Sequence, residues 1–214
     1  RAATAAPEHA RWSSVAPFDP ASQQAQWLQG KPSKLQLIGS SAPPAGGESV
    51  VEASYSRPNI AHAAMGPSCA LAEMRDGQLT IWSHGQGMHP LRIALAKAMD
   101  LDVESITAHH VQGPGCYGHN GADDVELDAA LIAREIPNHC IRVQWRREEE
   151  FGFEPFGTAM QVNLRVALDG NGMPIDWTTQ LWSAVHVQRP GPGGRLLATS
   201  ALGKELPKLD VVDP

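Results

Sequence analysis

The sequence predicts an α+β fold in which helices pack on a mostly antiparallel sheet. Three observations carry this. Segments with the 3.6-residue period of a helix are interspersed with segments that alternate every second residue. Two pairs of strand-like segments are joined by tight turns, Asp76-Gly77 and Asp169-Gly170-Asn171-Gly172. Finally, 20 glycines and 17 prolines among 214 residues exceed the roughly 12% usual for the two together. That excess implies many turns and short elements, which excludes a helical bundle.

The elements follow in chain order. Residues 1–47 are weakly patterned, with a short helix expected over 20–28 and an exposed Ser/Pro/Gly-rich connection over 33–47. Val50, Val51, Ala53 and Tyr55 make 49–55 a strand, interrupted at Arg57-Pro58 because proline removes a donor and restricts the residue before it. Residues 69–75 and 78–83 form a hairpin across Asp76-Gly77, both of which tolerate positive φ. Residues 89–99 are helical: Pro90 suits a first turn, and Leu91, Leu95 and Met99 share one face. A strand within 101–111, centred on Ser105 to Ala108, runs into the glycine-rich turn 112–121. The best helix of the chain follows over 122–136, with Asp123 and Asp124 in its first turn and Arg134 in its last, matching the helix dipole. Strands are expected at 140–145, 158–168 and 174–186, and a loop at 189–194. No internal repeat is present.

Composition narrows the function. A chain that is 42% hydrophobic can fill a core, and a net charge of −6 argues against an electrostatic grip on nucleic acid, so no nucleic-acid partner is expected. No apolar run reaches the roughly 18 to 20 residues of a membrane-spanning helix. Cys69, Cys116 and Cys140 are too few and too scattered for a disulfide framework or a zinc knuckle. The chain opens on Arg1 in a passage, RAATAAPEHARW, that reads like the inside of a longer protein. Residues 1–47 are therefore expected to be a connecting segment from a preceding domain.

Four features bear on chemistry. The strand, glycine loop and helix over 111–136 suit close approach of backbone N–H groups to an anionic ligand, with the helix N-terminus adding positive charge. Equally, the loop can be a plain turn. Gly113-x-Gly115-x-x-Gly118 matches a dinucleotide fingerprint in form only, since two aspartates open the helix and no ribose-binding acid is placed downstream. The histidines His62, His84, His89, His109, His110 and His119 invite a metal, with Asp123 or Asp124 as carboxylate ligands. They lack ligand spacing, and neighbours His109 and His110 on a strand face opposite sides, so surface or hydrogen-bonded roles are expected. Cys116, ahead of a helix, has the setting of an activated thiol but no matched base beyond His119. Gln86, in Ser83-His84-Gly85-Gln86-Gly87, either donates to a bound oxo or carbonyl group or closes the turn. The run Arg146-Arg147-Glu148-Glu149-Glu150 reads as a solvated turn with local ion pairs. Trp82, Tyr117 and the phenylalanines of 151–156 suit an aromatic pocket or the core.

Several ordered blocks resemble one family. They are Tyr55-Ser56-Arg57-Pro58, the stretch 61–70 (AHAAMGPSCA), the stretch 76–87 (DGQLTIWSHGQG) and above all 115–124 (GCYGHNGADD). Trp145-Arg146-Arg147-Glu148-Glu149 and Ala167-Leu168-Asp169-Gly170 continue the order. Across about residues 50–200 the chain resembles the molybdopterin-binding large subunit of the xanthine dehydrogenase and aldehyde oxidase family. Within it, the branch of the isoquinoline 1-oxidoreductase beta subunit and the nicotinate dehydrogenase large subunit is most similar.

The resemblance implies that residues 48–214 are the first part of a molybdopterin-binding domain. Gln86 matches the glutamine beside the molybdenum, which acts on the metal's surroundings rather than as a direct ligand. Gly115, Cys116, Tyr117 and Gly118 match the glycine–aromatic loop along the cofactor. The cofactor implied is molybdopterin with molybdenum, as the cytosine dinucleotide, with iron–sulfur clusters on a small partner subunit and a cytochrome c as candidate electron acceptor. The implied reaction hydroxylates an N-heterocycle or oxidises an aldehyde, with water as the oxygen source. Two departures stand out: Gly66 occupies the place of an acidic residue, and Tyr117 that of a phenylalanine. The family's general-base glutamate falls beyond Pro214, so the piece is expected to be inactive alone. The alternative is a non-catalytic binding or assembly module of the same fold, and a His/Asp metallohydrolase rests on histidine count only.

Overall fold

The hairpin forms where the turn chemistry requires it. In the computed structural model, which describes residues 25–39, 49–184 and 196–203, strands β2 (Cys69–Arg75) and β3 (Gln78–Ser83) pair antiparallel. They turn on Asp76 at φ 49° and Gly77 at φ 77°, the left-handed pair such a two-residue loop needs. The remaining elements are α1 (Ala25–Gln29), β1 (Ser49–Arg57), α2 (Met88–Met99), β4 (Ile106–His110), α3 (Ala122–Glu135), β5 (Ile141–Gln144), α4 (Arg147–Phe153), β6 (Met160–Leu168), β7 (Pro174–Ser183) and α5 (Leu197–Ala201). A single 3₁₀ turn, Val103–Ser105, leads into β4. Residues 20–24 of the expected first helix, 40–47 of the connection, the end of the last expected strand and the 189–194 loop lie outside the described residues.

Two sheets result. One is antiparallel in the order β1-β6-β7; the other has the order β4-β3-β2-β5. In the second sheet β2 pairs antiparallel with β3 and β5, whereas β3 and β4 run parallel, with α2 as the connection between them. Parallel neighbours need such a crossover, because a short turn can only reverse the chain.

Helices α2 and α3 cover one face of this four-stranded sheet, and the core lies between. Ala70, Ala72 and Met74 of β2, Leu79 and Ile81 of β3 and Ile106 of β4 point inward with the two-residue period of a strand. They meet Leu91, Ala94, Leu95, Ala98 and Met99 of α2 and Val125, Ala129, Ala130 and Ala133 of α3. Small side chains dominate the helix faces, which lets the helices lie close to the sheet.

The Arg146–Glu150 run has the expected local ion pair, Arg146 with Glu149 at 3.3 Å, but is not a solvated turn. It is helix α4, in which Glu149 Oε2 accepts from Arg146 N at 2.6 Å and Glu150 is fully buried. Charged residues read as solvated because lone charges are costly to bury, but a carboxylate ringed by N–H donors is not alone.

Candidate functional site

Because β3 and β4 are parallel neighbours, both chains leave the sheet at the same edge. Each enters a loop that opens a helix: residues 84–87 into α2 and 111–121 into α3. Crevices outside the carboxyl ends of adjacent parallel strands are where open α/β sheets receive ligands. Gln86 is exposed on the first loop, and Gly115, Tyr117 and Gly118 are exposed on the second. Cys116 is turned inward, its Sγ–H donating to Gly118 O at 3.2 Å.

The two loops are tied to one another. Val111 N donates to Ser83 O at 2.8 Å, and His110 Nδ1 lies 3.1 Å from Gly85 O. A carbonyl only accepts, so Nδ1 of His110 carries the proton. The amide of Asn120 spans the glycine loop: Nδ2 donates to Gly115 O at 2.9 Å and Oδ1 accepts from Ala122 N at 3.1 Å. Its Nδ2 also faces Nδ1 of the buried His84 at 3.4 Å, while Cys69 N faces the other ring nitrogen at 3.3 Å. Burial lowers the His84 pKa, against the raising effect of the Glu150 charge.

The loop winds through positive φ at Gly115 (87°), Tyr117 (54°) and Gly118 (142°). A Cβ at Gly118 would lie 2.2 Å from the His62 ring, and one at Gly113 would lie 2.2 Å from His84 Cβ. The glycine signal thus has a second origin beside ligand approach, because the molecule packs its own histidines against these positions.

The helix N-terminus is not open to a ligand as expected. Glu150 Oε1 accepts from Gly121 N at 3.3 Å, and its two oxygens also accept from Ser68 N at 2.7 Å and Ser68 Oγ at 3.0 Å. The positive end of the α3 dipole is met by a carboxylate of the protein itself. Nearby, Glu154 accepts from His62 N at 2.8 Å, and Arg147 donates to the carbonyls of Ala64 and Met65 at 2.7 and 2.8 Å. Helix α4 therefore clamps residues 62–68 and the start of α3 together.

Asp123 and Asp124 do more than complement the dipole. Both are buried: Asp123 pairs with His119 at 2.7 Å, and Asp124 accepts from Leu197 N at 2.8 Å, docking α5. Burial raises the Asp124 pKa to about 7, against the lowering effect of the Leu197 bond. Desolvation also pushes the fully buried Glu126 well above 4.5. Ser83 and Gly85 N–H are close enough to oppose that rise, yet neither Glu126 oxygen makes a hydrogen bond of good geometry.

Among the described residues no three His, Cys, Asp or Glu side chains gather to hold a metal ion, and Cys69, Cys116 and Cys140 form no disulfide. His109 stacks on Trp82 with ring centroids 5.7 Å apart, on the sheet face opposite the core. Tyr117, Phe151, Phe153 and Phe156 are exposed, so they are not core residues. Sequence reasoning missed Asn120, Glu126, Glu150 and Glu154. For Glu126 a signal existed: it lies three, four and seven residues before Ala129, Ala130 and Ala133, on the apolar face of α3.

Known proteins resemble this chain in sequence and in fold. The molybdopterin cofactor-binding domain family matches residues 40–185. A nicotinate dehydrogenase subunit from Pseudomonas putida is 41% identical over 128 residues, which is 59% of this chain and 11% of that protein. The chain thus spans about a ninth of the length of that relative. Among solved structures, quinoline 2-oxidoreductase from Pseudomonas putida 86 superposes with a TM-score of 0.56 at 19% identity, over 63% of this chain and 17% of its own. Aldehyde oxidoreductase from Desulfovibrio gigas gives a TM-score of 0.53 at 18% identity, over 60% of this chain and 14% of its own. These two likenesses establish the α+β fold.

Proposed function

The chain belongs to the molybdopterin cofactor-binding domain family, and from that premise we propose that it forms one wall of the cofactor site of a molybdenum hydroxylase. One observation carries the reading: Gln86 and the loop Gly115, Tyr117 and Gly118 are exposed on adjacent loops at the carboxyl edge of β3 and β4. The residues fit such a group in part. An exposed loop in positive φ and a neutral amide suit an anionic, oxygen-rich cofactor, while the α3 N-terminus, already met by Glu150, adds nothing.

In this reading Gly115, Cys116, Tyr117 and Gly118 run along the cofactor, and Gln86 donates a hydrogen bond from Nε2 to an oxygen at its metal end. When bound, the molybdenum and its dithiolene supply the redox chemistry. The protein's share is orientation: Asn120 holds the loop through Gly115 O, and the neutral amide of Gln86 donates at every pH.

The reaction we infer is hydroxylation of an N-heterocycle or oxidation of an aldehyde, with water as oxygen source. It is supported by the names of the relatives, which are a nicotinate dehydrogenase and a quinoline oxidoreductase. The same reading assigns a cytosine dinucleotide form of the cofactor, a small iron–sulfur subunit and a cytochrome c acceptor. It takes residues 1–47 as a connection, residues 48–214 as the first part of the binding domain, and the general base as lying elsewhere. The 214-residue chain is then inactive alone.

Elemental analysis tests this on the complete subunit that contains the chain, produced with its iron–sulfur partner in a host that loads a control enzyme. About one molybdenum per large subunit is expected. Gln86→Ala should keep the metal yet slow turnover of N-heterocycles by about 10- to 100-fold, the usual range for an outer-shell partner. Absence of molybdenum would favour the assembly-module reading.

A further inference from the structure

The residue that precedes Gln86 is gripped from three sides by groups the proposed function does not use. Gly85 is buried, and its N–H donates to Ser83 Oγ at 3.3 Å. Its carbonyl accepts from His110 Nδ1 at 3.1 Å. Its Cα faces a carboxyl and a methionine end: a Cβ added there would lie 2.8 Å from Glu126 Oε1, 2.9 Å from Met88 Cε and 3.5 Å from Asp123 Oδ1. Glu126 reaches this point from the first turns of α3, fully buried, with neither oxygen satisfied, and Asp123 Oδ1 is likewise without a hydrogen-bond partner.

The Gly85 carbonyl and the Gln86 N–H belong to one planar peptide unit. Whatever fixes the carbonyl direction therefore fixes the peptide plane from which the Gln86 side chain departs. Ser83 anchors the plane before it, and the Glu126 carboxyl fills the space a side chain would take. Three elements, β3, β4 and α3, converge on a single glycine, and the exposed glutamine is the next residue.

We propose that His110 and Glu126 are positioning residues for Gln86: His110 orients the Gly85–Gln86 peptide through the carbonyl, and Glu126 backs the glycine from the helix side. The proposal rests on the reading of Gln86 given above only for its consequence in catalysis; the grip itself is a property of the loop. It also gives a reason for glycine at position 85, where an added side chain would displace the ends of Glu126 and Met88.

The groups facing Glu126 are Asp123 and Asp124 on its own helix and Ser83 and Gly85 on the β3 side, and none of them is a cation. Ionisation of Glu126 therefore places behind Gly85 a charge that no cation meets, opposed only by the Ser83 hydroxyl and the Gly85 N–H. The grip is set by the neutral acid and loosens when the proton leaves. Glu126→Gln keeps shape and neutrality and should keep the loop closed at every pH.

Backbone amide hydrogen exchange in the 214-residue chain tests this. His110→Ala, on an exposed position of β4, should speed exchange at Gly85 to Gly87 by about fivefold or more, the equivalent of one lost hydrogen bond, without touching exchange in α2 and α3. Wild-type protection there should decline as pH rises beyond what intrinsic exchange explains, and Glu126→Gln should abolish that extra decline. Unchanged protection in His110→Ala, or an extra decline that persists in Glu126→Gln, overturns the proposal. A second readout separates this from the function. In the molybdenum-loaded complex the same His110→Ala change should alter the electron paramagnetic resonance of the metal. A freed loop with an unaltered spectrum would sustain the grip and sink the role of Gln86 at the metal.

Discussion

Replacing Glu150 by alanine removes the acceptor shared by Ser68 N, Ser68 Oγ and Gly121 N and leaves the two backbone donors buried. Breaking such an arrangement from one side costs about 3 kcal/mol or more, and urea unfolding of Glu150→Ala should register it as a lowered midpoint. Glu150→Gln, which keeps one acceptor oxygen, should fall between. Asp124 makes a prediction of opposite character. Its pKa rises from 3.8 to about 7 on folding, so across that interval the native chain holds a proton that the unfolded chain has released. Stability then falls as pH rises from 3.8 to about 7, by at most about 1.4 kcal/mol per pH unit for one proton. The raised pKa of Glu126 acts in the same direction. Asp124→Asn keeps an acceptor for Leu197 N and should flatten the part due to Asp124. A midpoint that climbs over this interval would refute the assignment.

At the scale of elements, turns with the same backbone requirement differ in cost according to what surrounds them. Gly172 turns β6 into β7 at φ 78° with nothing within 4 Å of an added Cβ, and Gly172→Ala should cost only the left-handed penalty of about 1 to 2 kcal/mol. Gly118→Ala meets the His62 ring at 2.2 Å and should cost clearly more in the same denaturation assay, with the loss centred on the 112–121 loop. Elements whose cause is local were legible in the sequence. The Asp76-Gly77 hairpin has the expected bounds; α2 gains only Met88 and α3 loses only Ile136. What was not legible depends on distant partners. The strand–helix–strand order within 78–110 is compatible with a parallel pair but does not say that β4 pairs with β3, the pairing that puts Gln86 beside the glycine loop. The charges of 146–150 likewise conceal Glu150, because its donors sit 29 and 82 residues away.

Across the whole molecule, the two sheets differ in what they leave uncovered. In β1-β6-β7 the register aligns Val51 with Val166 and Trp177, and Tyr55 with Val162 and Leu181, so these side chains share one face. On its outer strands that face is open: Trp177 and Tyr55 are each 61% exposed. Contiguous apolar exposure of this kind drives association. Trp177→Lys should therefore reduce dye binding by the 214-residue chain and shift its sedimentation toward the monomer. Equal dye binding in the variant would exclude this face as the source. The core between α2, α3 and the four-stranded sheet should be indifferent to the change, since Trp177 lies in the other sheet.

The clamp made by α4 also has a consequence in time. A ribosome delivers residues in order, at roughly 5 to 20 per second, and the glycine loop emerges before the helix that holds it. Gly121 must wait for Glu150, 29 residues later, and His62 must wait for Glu154, 92 residues later. During that interval the hairpin and α2 already have their local partners, while the nascent loop has none on its α4 side. The rim proposed to meet a cofactor thus takes shape after the four-stranded sheet behind it, and a chain stalled before Glu150 would display a paired sheet with an unfinished mouth.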